Sequence, residues 1–178
     1  SKMCNDLRLL SSGPKTGFAE IMLPAKQNGS SIMPGKVNPV IPEVVTQVAF
    51  KVIGNDMTVT MAAEAGQLEL NAFEPVIFYS MLESISMLTG AIGTLIDNCI
   101  SGIVANEKRC AELLSGSIAV VTALSPYIGY KKAAAIAHES LDTGVSVKDI
   151  VLRENIMDEE TLKSVLDINA MTEPKHLK

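Results

Sequence analysis

Residues 29–39 read GSSIMPGKVNP, a short polar stretch whose final proline leads directly into a long apolar segment. Proline suits the first turn of a helix, where its missing N–H costs nothing. Lys36 and Asn38 are therefore predicted to lie at a helix N-terminus, where free N–H groups and the positive end of the dipole attract anions. Ser30 and Ser31 add hydroxyl groups a few residues upstream. The stretch thus contains the groups needed to bind a carboxylate and to move a proton beside it.

The same residues also have a purely structural interpretation. Clusters of Gly, Ser, Asn and Pro usually form loops. A serine beside a glycine usually forms a turn, and a lysine near the start of a helix is usually solvated. Spacing alone therefore leaves both interpretations open.

The segments that follow predict two long helices. From Val40 to Met61 apolar residues recur at helical spacing. Many of them are β-branched, so a buried strand is the local alternative, but the length favours a helix. A second helix is predicted from about Pro75 to Ser101, about 40 Å long at 1.5 Å per residue. Residues 62–73 would connect the two.

Part of the second helix imitates a membrane span, because Val76 to Ile96 is long and largely apolar. Glu83 interrupts it, and no basic residue flanks it closely, since the nearest are Lys51 and Lys108. The interfacial anchors of a membrane helix are therefore missing. A helix that is apolar nearly all round is otherwise typical of the buried interior of a large assembly.

The chain changes character after about residue 105, where charges become dense and helical segments short. Asn106 is a candidate N-cap for the segment that follows it. Ser146 and Asp149 have the spacing of a capping box, and Asp158 can cap a further helix. Short, capped helices of this kind predict a small helical domain.

Composition excludes several classes of protein. The net charge is −5 and the pI about 5.1, so nucleic acid is not an expected partner. Hydrophobic residues make up 47% of the 178 residues, enough for a sizeable core. Cys4, Cys99 and Cys110 are too few and too scattered for a disulfide framework or a zinc site. We expect reduced thiols, a cytoplasmic location, no bound metal and no cofactor.

The stretch 29–39 resembles the signature loop of the fumarase/aspartase superfamily, whose members eliminate ammonia, water or an amine from a succinyl group to give fumarate. Residues 40–56 and 64–77 look more like the aspartate ammonia-lyase branch of this superfamily than the fumarase branch. The similar segments are NDLRLLSSGP at 5–14, VIPEVVTQVAFKVIGND at 40–56, EAGQLELNAFEPVI at 64–77, NEKR at 106–109, VTALSPYIGY at 121–130 and SVKDIVL at 146–152.

The resemblance implies an all-α fold made of part of a long-helix bundle plus a small helical C-terminal domain. Residues 1–105, with the loop 29–39, would form the C-terminal part of the central bundle domain, and 106–178 the small domain. Family members are more than twice as long, so we expect a C-terminal fragment that is inactive by itself. The parent protein is expected to be a homotetramer, bound to neither nucleic acid nor membrane.

The resemblance also assigns roles within the loop. Ser30 is the expected base, which removes a proton from the carbon next to the β-carboxylate. An ordinary serine is a weak acid, and the positive charge of Lys36 with the N–H groups of a helix start would favour its alkoxide. Ser31 is the alternative base and is otherwise expected to bind a carboxylate. Lys36 and Asn38 are expected to hold the carboxylates of a dicarboxylate substrate.

Glu43 is the second expected catalytic residue, because the matching glutamate of the family pairs with a histidine from another part of the protein. From the residues alone, Glu43 is equally well explained as an acid that interacts favourably with the helix dipole. The two histidines of the chain are His138 and His176. Both lie in the predicted small domain and are expected at the surface rather than in catalysis.

The expected activity is the reversible elimination of ammonia from L-aspartate to give fumarate. Fumarate hydratase is the first alternative, because the loop is common to both branches. A non-catalytic assembly module is the second alternative, because folds of this family also serve as structural proteins of the lens. Retention of Ser30, Lys36 and Asn38 argues against the second alternative.

Overall fold

The structure is a computed structural model that describes residues 1–29 and 31–172. Contacts divide the chain into two compact units, residues 1–107 and 108–178. The domain boundary predicted between residues 105 and 106 stays a prediction. Ser30 and His176, both named from the sequence, lie outside the described residues.

The first unit is built on two long helices. Its elements are α1 Lys2–Leu10, β1 Ile21–Met22, α2 Val40–Glu64, α3 Glu74–Asn98, a 3-10 turn Ile100–Gly102 and β2 Val104–Ala105. The prediction of helices over Val40–Met61 and Pro75–Ser101 is confirmed, and the strand alternative is wrong. The second helix ends three residues earlier than predicted, because the chain tightens into the 3-10 turn.

A small apolar cluster fixes α1 against the long helices. Its buried members come from all three helices and the residue after α3: Cys4, Val45, Ala91, Leu95 and Cys99. Val45 lies in the second turn of α2, while Ala91 and Leu95 lie near the end of α3, so the two helices run antiparallel. Burial raises the pKa of the Cys99 thiol, and nearby Cys4 adds to this effect. The cluster therefore packs at the end of the helix pair from which the loop 29–39 emerges.

Further along, a polar network joins α2 to α3. Asn55 is only 5% exposed. Its amide nitrogen donates to Glu83 Oε2 at 2.8 Å, to Ser84 Oγ at 3.0 Å and to the Ser80 carbonyl at 3.3 Å. Lys51 Nζ donates to Asn55 Oδ1 at 3.0 Å and lies 3.2 Å from Glu83 Oε2. These hydrogen bonds, chiefly that from Asn55, hold the pKa of the Glu83 carboxyl below its ordinary value.

Much of the remaining surface of α2 and α3 is apolar and exposed. Ile53, Met57 and Met61 on α2 are 64%, 62% and 58% exposed, and Leu82 and Ile85 on α3 are 65% and 58% exposed. Among the described residues, one helical stretch, Glu74–Gly102, is long and apolar enough to cross a membrane by length and composition. Only 11% of its most apolar window is buried in this chain.

A pair of two-residue strands is another feature of this unit that helical spacing does not predict. β1 and β2 are antiparallel, with Ile21 opposite Ala105 and Met22 opposite Val104. Beside them, Asn106 donates from its backbone N–H to the Glu20 carbonyl at 2.8 Å and from its side chain to the Ala19 carbonyl at 2.9 Å. The segment before the loop is thereby tied to the segment after α3.

The second unit consists of short elements around its own core. They are α4 Glu107–Ser115, which starts at the last residue of the first unit, a 3-10 segment Ile118–Leu124, α5 Ser125–Ile128, α6 Tyr130–Thr143, α7 Val147–Arg153, α8 Glu159–Val165 and α9 Ile168–Thr172. Leu124, Ile150, Val151 and Leu162 are fully buried at its centre. This cluster gives the short helices a common surface on which to pack.

Two caps predicted from the sequence are confirmed in this unit. Ser146 Oγ accepts from the Asp149 backbone N–H at 3.1 Å and also donates to the Asp149 carboxylate at 2.7 Å. Asp158 accepts from the Thr161 backbone N–H at 2.8 Å and from its hydroxyl at 2.6 Å. These bonds lower the pKa of Asp158. α4 begins directly after Asn106, as predicted.

Candidate active-site loop

The signature stretch folds as a loop that is closed at its base. Asn28 and Val37 form an isolated antiparallel bridge, and the Gly29 N–H donates to the Lys36 carbonyl at 2.7 Å. The two arms of the loop therefore run side by side before the chain enters α2. Lys36, although seven positions from Gly29 in sequence, contacts it directly.

The base of the loop requires glycine at position 29. A Cβ atom added to Gly29 would meet the Lys36 carbonyl oxygen and Asn38 Oδ1 at 2.9 Å and the Asn38 nitrogen at 3.0 Å. Two of these three atoms belong to the backbone, so no side-chain rotation could relieve the contact. Glycine at position 29 thus allows the two arms of the loop to approach closely. Gly35 has a φ of 79° and open space around it, so glycine there allows a turn.

Asn38 is engaged with this base. Its amide nitrogen donates weakly to the Gly29 carbonyl at 3.4 Å, and its side chain is half-buried. In this structure Asn38 therefore stabilises the loop. Its predicted contact with a substrate carboxylate stays a prediction.

Lys36 and Ser31 are exposed. Lys36 and Asn38 both border a cleft of about 360 Å³, which is also lined by Ser11, Ile21 and Asn106. The structure thus brings one cationic side chain and several polar ones to a single concave surface. Most of the other residues that line the cleft are apolar, and the roles of Ser31 and Lys36 stay predictions.

The loop leads into the N-terminus of α2, as predicted. Pro39 occupies the N-cap position, one residue earlier than the first turn, and none of the described side chains caps this helix. The Glu43 N–H donates to the Pro39 carbonyl at 3.1 Å, which closes the first turn. The positive end of the helix dipole therefore lies directly behind Lys36 and Asn38.

Glu43 lies in the first turn of α2 and faces α1. Its Oε1 is 3.9 Å from Nη2 of Arg8, and Nη1 of Arg8 donates to Asn5 Oδ1 at 3.3 Å. Sequence reasoning did not single out Arg8. Its position one turn after Asn5 was visible, but only the packing of α1 on α2 brings it to Glu43.

The histidine and cysteine side chains considered in the sequence analysis are not part of the loop. His138 is exposed on α6 in the second unit. Cys4 and Cys99 are buried free thiols, and Cys110 is exposed. Over residues 1–29 and 31–172, no group of three or more His, Cys, Asp or Glu side chains could hold a metal ion.

Two family models match this chain. One is described as a lyase and matches residues 1–54, which include the loop and the start of α2. The other is described as the fumarase C C-terminus and matches residues 120–173 in the second unit. The aspartate ammonia-lyase of Pseudomonas fluorescens is 57% identical over 175 residues, which are 98% of this chain and 37% of that enzyme. The chain thus spans little more than a third of the length of the relative.

Solved structures agree in fold and in sequence. A fumarate lyase:delta crystallin from Brucella melitensis, in a structure bound to cobalt, matches with a TM-score of 0.90 and 53% identity. It covers 97% of this chain and 37% of its own. The class II fumarase of Schistosoma mansoni matches with a TM-score of 0.88 and 33% identity, over 97% of this chain and 36% of its own. With matches to both family models and more than half of its residues identical to those of a lyase, the chain belongs to the fumarase/aspartase superfamily.

Proposed function

We propose that this chain is part of a longer enzyme that eliminates ammonia from L-aspartate, reversibly, to give fumarate. The observation that carries the proposal is the contrast between the two branches. Identity is 57% with the aspartate ammonia-lyase of Pseudomonas fluorescens and 33% with the class II fumarase of Schistosoma mansoni. The loop alone could not decide between them, because both branches have it.

The reaction needs a base and a pocket for negative charge. Removal of the proton next to the β-carboxylate leaves an aci-carboxylate, which pre-arranged cations and N–H groups stabilise. We assign Ser30 as the base and Ser31, Lys36 and Asn38 as the groups that hold carboxylates. Support comes from the cleft that Lys36 and Asn38 border and from the α2 N-terminus behind them.

Glu43 completes the proposed site by pairing with a histidine contributed by another part of the enzyme. Such a pair would orient the imidazole and stabilise its protonated form. The position of Glu43 in the first turn of α2, only a few residues from Lys36, supports this assignment. The described histidine of this chain, His138, lies in the other unit and is not assigned to the site.

We further propose that the enzyme is a cytoplasmic homotetramer whose substrate is a small dicarboxylate, and that it binds neither nucleic acid nor membrane. The exposed apolar side chains of α2 and α3 support a bundle shared among subunits, because exposed apolar surface of this extent usually marks an interface. The same surface explains why α3 resembles a membrane span in composition.

The test compares aspartate and malate as substrates of the full-length enzyme, with fumarate formation followed by ultraviolet absorbance. We expect turnover of aspartate, whereas turnover of malate alone would establish the fumarate hydratase alternative. Turnover of neither substrate would support a non-catalytic module. The 178-residue chain assayed alone should form no fumarate.

Substitutions within the loop test the roles. Ser30→Ala should abolish most turnover and leave folding intact, and Ser31→Ala tests the alternative base. Near-full activity of Ser30→Ala with loss in Ser31→Ala would transfer the role of base to Ser31. Lys36→Ala should chiefly weaken the binding of substrate and product, so an unchanged apparent affinity would contradict its role.

A further inference from the structure

We propose that Arg8 is a positioning residue for Glu43 and that it extends the candidate site onto α1. The inference rests on the proposed function, because it gives a role to Arg8 through the carboxylate assigned there to catalysis. No feature of the sequence places Arg8 near the loop. The contact arises from the packing of α1 against the first turns of α2.

The guanidinium of Arg8 donates one hydrogen bond, to Asn5, and forms an ion pair with Glu43. Its Nη1 donates to Asn5 Oδ1 at 3.3 Å, and its Nη2 lies 3.9 Å from Glu43 Oε1. Asn5 and Arg8 lie one turn apart on α1, so they share a face of the helix. The Asn5 amide oxygen thereby fixes one edge of the fork while the other edge faces the carboxylate.

The helix that carries Arg8 is itself anchored. Cys4 is 1% exposed and packs with Val45 of α2, and Leu7 and Ile41 pack against the same cluster. Apolar packing near the ion pair therefore holds α1 against the first turns of α2. Both residues belong to the first unit of this chain.

This geometry divides the two oxygens of Glu43 between two partners. Arg8 faces Oε1, which leaves Oε2 for the histidine assigned to it above. Among the described residues, Arg8 is the one cation within 4.0 Å of this carboxylate. A cation at this position opposes the protonation of a histidine on the other side of the carboxylate. Arg8 would thus both orient the carboxylate and tune the charge of its partner.

The test uses the full-length enzyme with Arg8→Gln, Arg8→Lys, Glu43→Gln and the double variant Arg8→Gln/Glu43→Gln. Arg8→Gln should lower kcat, by up to roughly 100-fold if Glu43 is misplaced by about 1 Å. It should also move the acid limb of the pH profile of kcat/KM to higher pH. Arg8→Lys should recover much of the rate, because it keeps the charge while losing the fork. Lys2→Gln, which removes the Lys2–Asp6 pair on the same helix, is the control and should change neither quantity.

The inference is decided by whether the effect of Arg8→Gln depends on the presence of the Glu43 carboxylate. In the Glu43→Gln background, Arg8→Gln should have no further effect on kcat. An equal loss in both backgrounds, or a wild-type pH profile in Arg8→Gln, would overturn the inference. If the wild-type enzyme turns over neither aspartate nor malate, the proposed function fails instead. The interaction between Arg8 and Glu43 is then tested by the urea midpoints of unfolding of the same four variants. A shift in the double variant that differs from the sum of the two single shifts supports the interaction, and a shift equal to that sum overturns it.

Discussion

Replacing Asn55 by alanine should destabilise the pairing of α2 with α3. Asn55 is nearly fully buried, and its side chain joins residues of both helices through hydrogen bonds. Truncation to alanine removes all of them and leaves a small void between the helices. The remaining members of the network keep partners, since Lys51 still faces Glu83 at 3.2 Å and Ser84 Oγ still donates to the Ser80 carbonyl at 2.7 Å.

The magnitude follows from counting the bonds that are lost. The amide nitrogen has two hydrogens, so its three acceptors share about two hydrogen bonds. Each contributes about 1 kcal/mol to stability in a buried setting. The bond from Lys51 adds little, because that side chain is 52% exposed. We therefore expect Asn55→Ala to lower the free energy of unfolding by about 2 kcal/mol, which is about 4–8 °C in Tm for a chain of this size.

The assay is urea unfolding of the purified chain followed by circular dichroism, with hydrogen exchange of peptides from α2 and α3 as a local readout. Gln47→Ala, an exposed position on the same helix, is the matched control and should change stability by less than about 0.5 kcal/mol. Asn55→Asp should be worse than Asn55→Ala at neutral pH, because it places a second carboxylate against Glu83. This reasoning would be refuted if Asn55→Ala and Gln47→Ala were equally stable, or if Asn55→Asp left the free energy of unfolding unchanged.

Three further predictions concern other parts of the chain. The pKa of the Glu83 carboxyl is below its ordinary value of 4.5, so the stability that Glu83 contributes should be complete above pH 4.5 and should be lost as the pH falls through the lowered pKa. Glu83→Gln should remove this acid-dependent loss, as measured by urea midpoints of unfolding at a series of pH values. Ile150→Ala, at a fully buried position of the second unit, should cost about 2–5 kcal/mol in urea unfolding, whereas the exposed Leu141→Ala should cost little. The chain should self-associate through α2 and α3, and Ile53→Glu should weaken this; sedimentation equilibrium that gives only a 19.0 kDa monomer at tens of micromolar would contradict it.

The sequence predicts those elements whose cause is local. The start of α2 follows from Pro39 at the end of the loop, and the length of α2 follows from a long run of apolar residues at helical spacing. Ser146 and Asp158 cap their helices as predicted, because a cap depends on residues within three positions of one another. In each case the residues that make the bonds are neighbours in the chain.

The sequence does not predict contacts whose cause is the register between elements. Asn55 and Glu83 are 28 positions apart, and only the antiparallel pairing of α2 and α3 brings them to 2.8 Å. Arg8 and Glu43 meet because apolar residues dock α1 on α2. β1 and β2, with two residues each, are too short for any periodicity to reveal. These contacts are therefore set by the packing of elements that are distant in sequence, which the local sequence pattern does not specify.

The loop at residues 29–39 combines both kinds of cause. Its composition indicates an anion site, but a run of polar residues does not say which of them come together. The hydrogen bond from Gly29 to the Lys36 carbonyl sets the start of the loop against the lysine that follows it, and the absence of a side chain at Gly29 permits the approach. The arm that carries Lys36 then continues into the first turn of α2, where the Val40 N–H donates to the Asn38 carbonyl at 2.9 Å and the Glu43 N–H to the Pro39 carbonyl at 3.1 Å. The backbone contact at Gly29 thus holds the arm that carries Lys36 against the start of the loop, and a side chain at position 29 would prevent it.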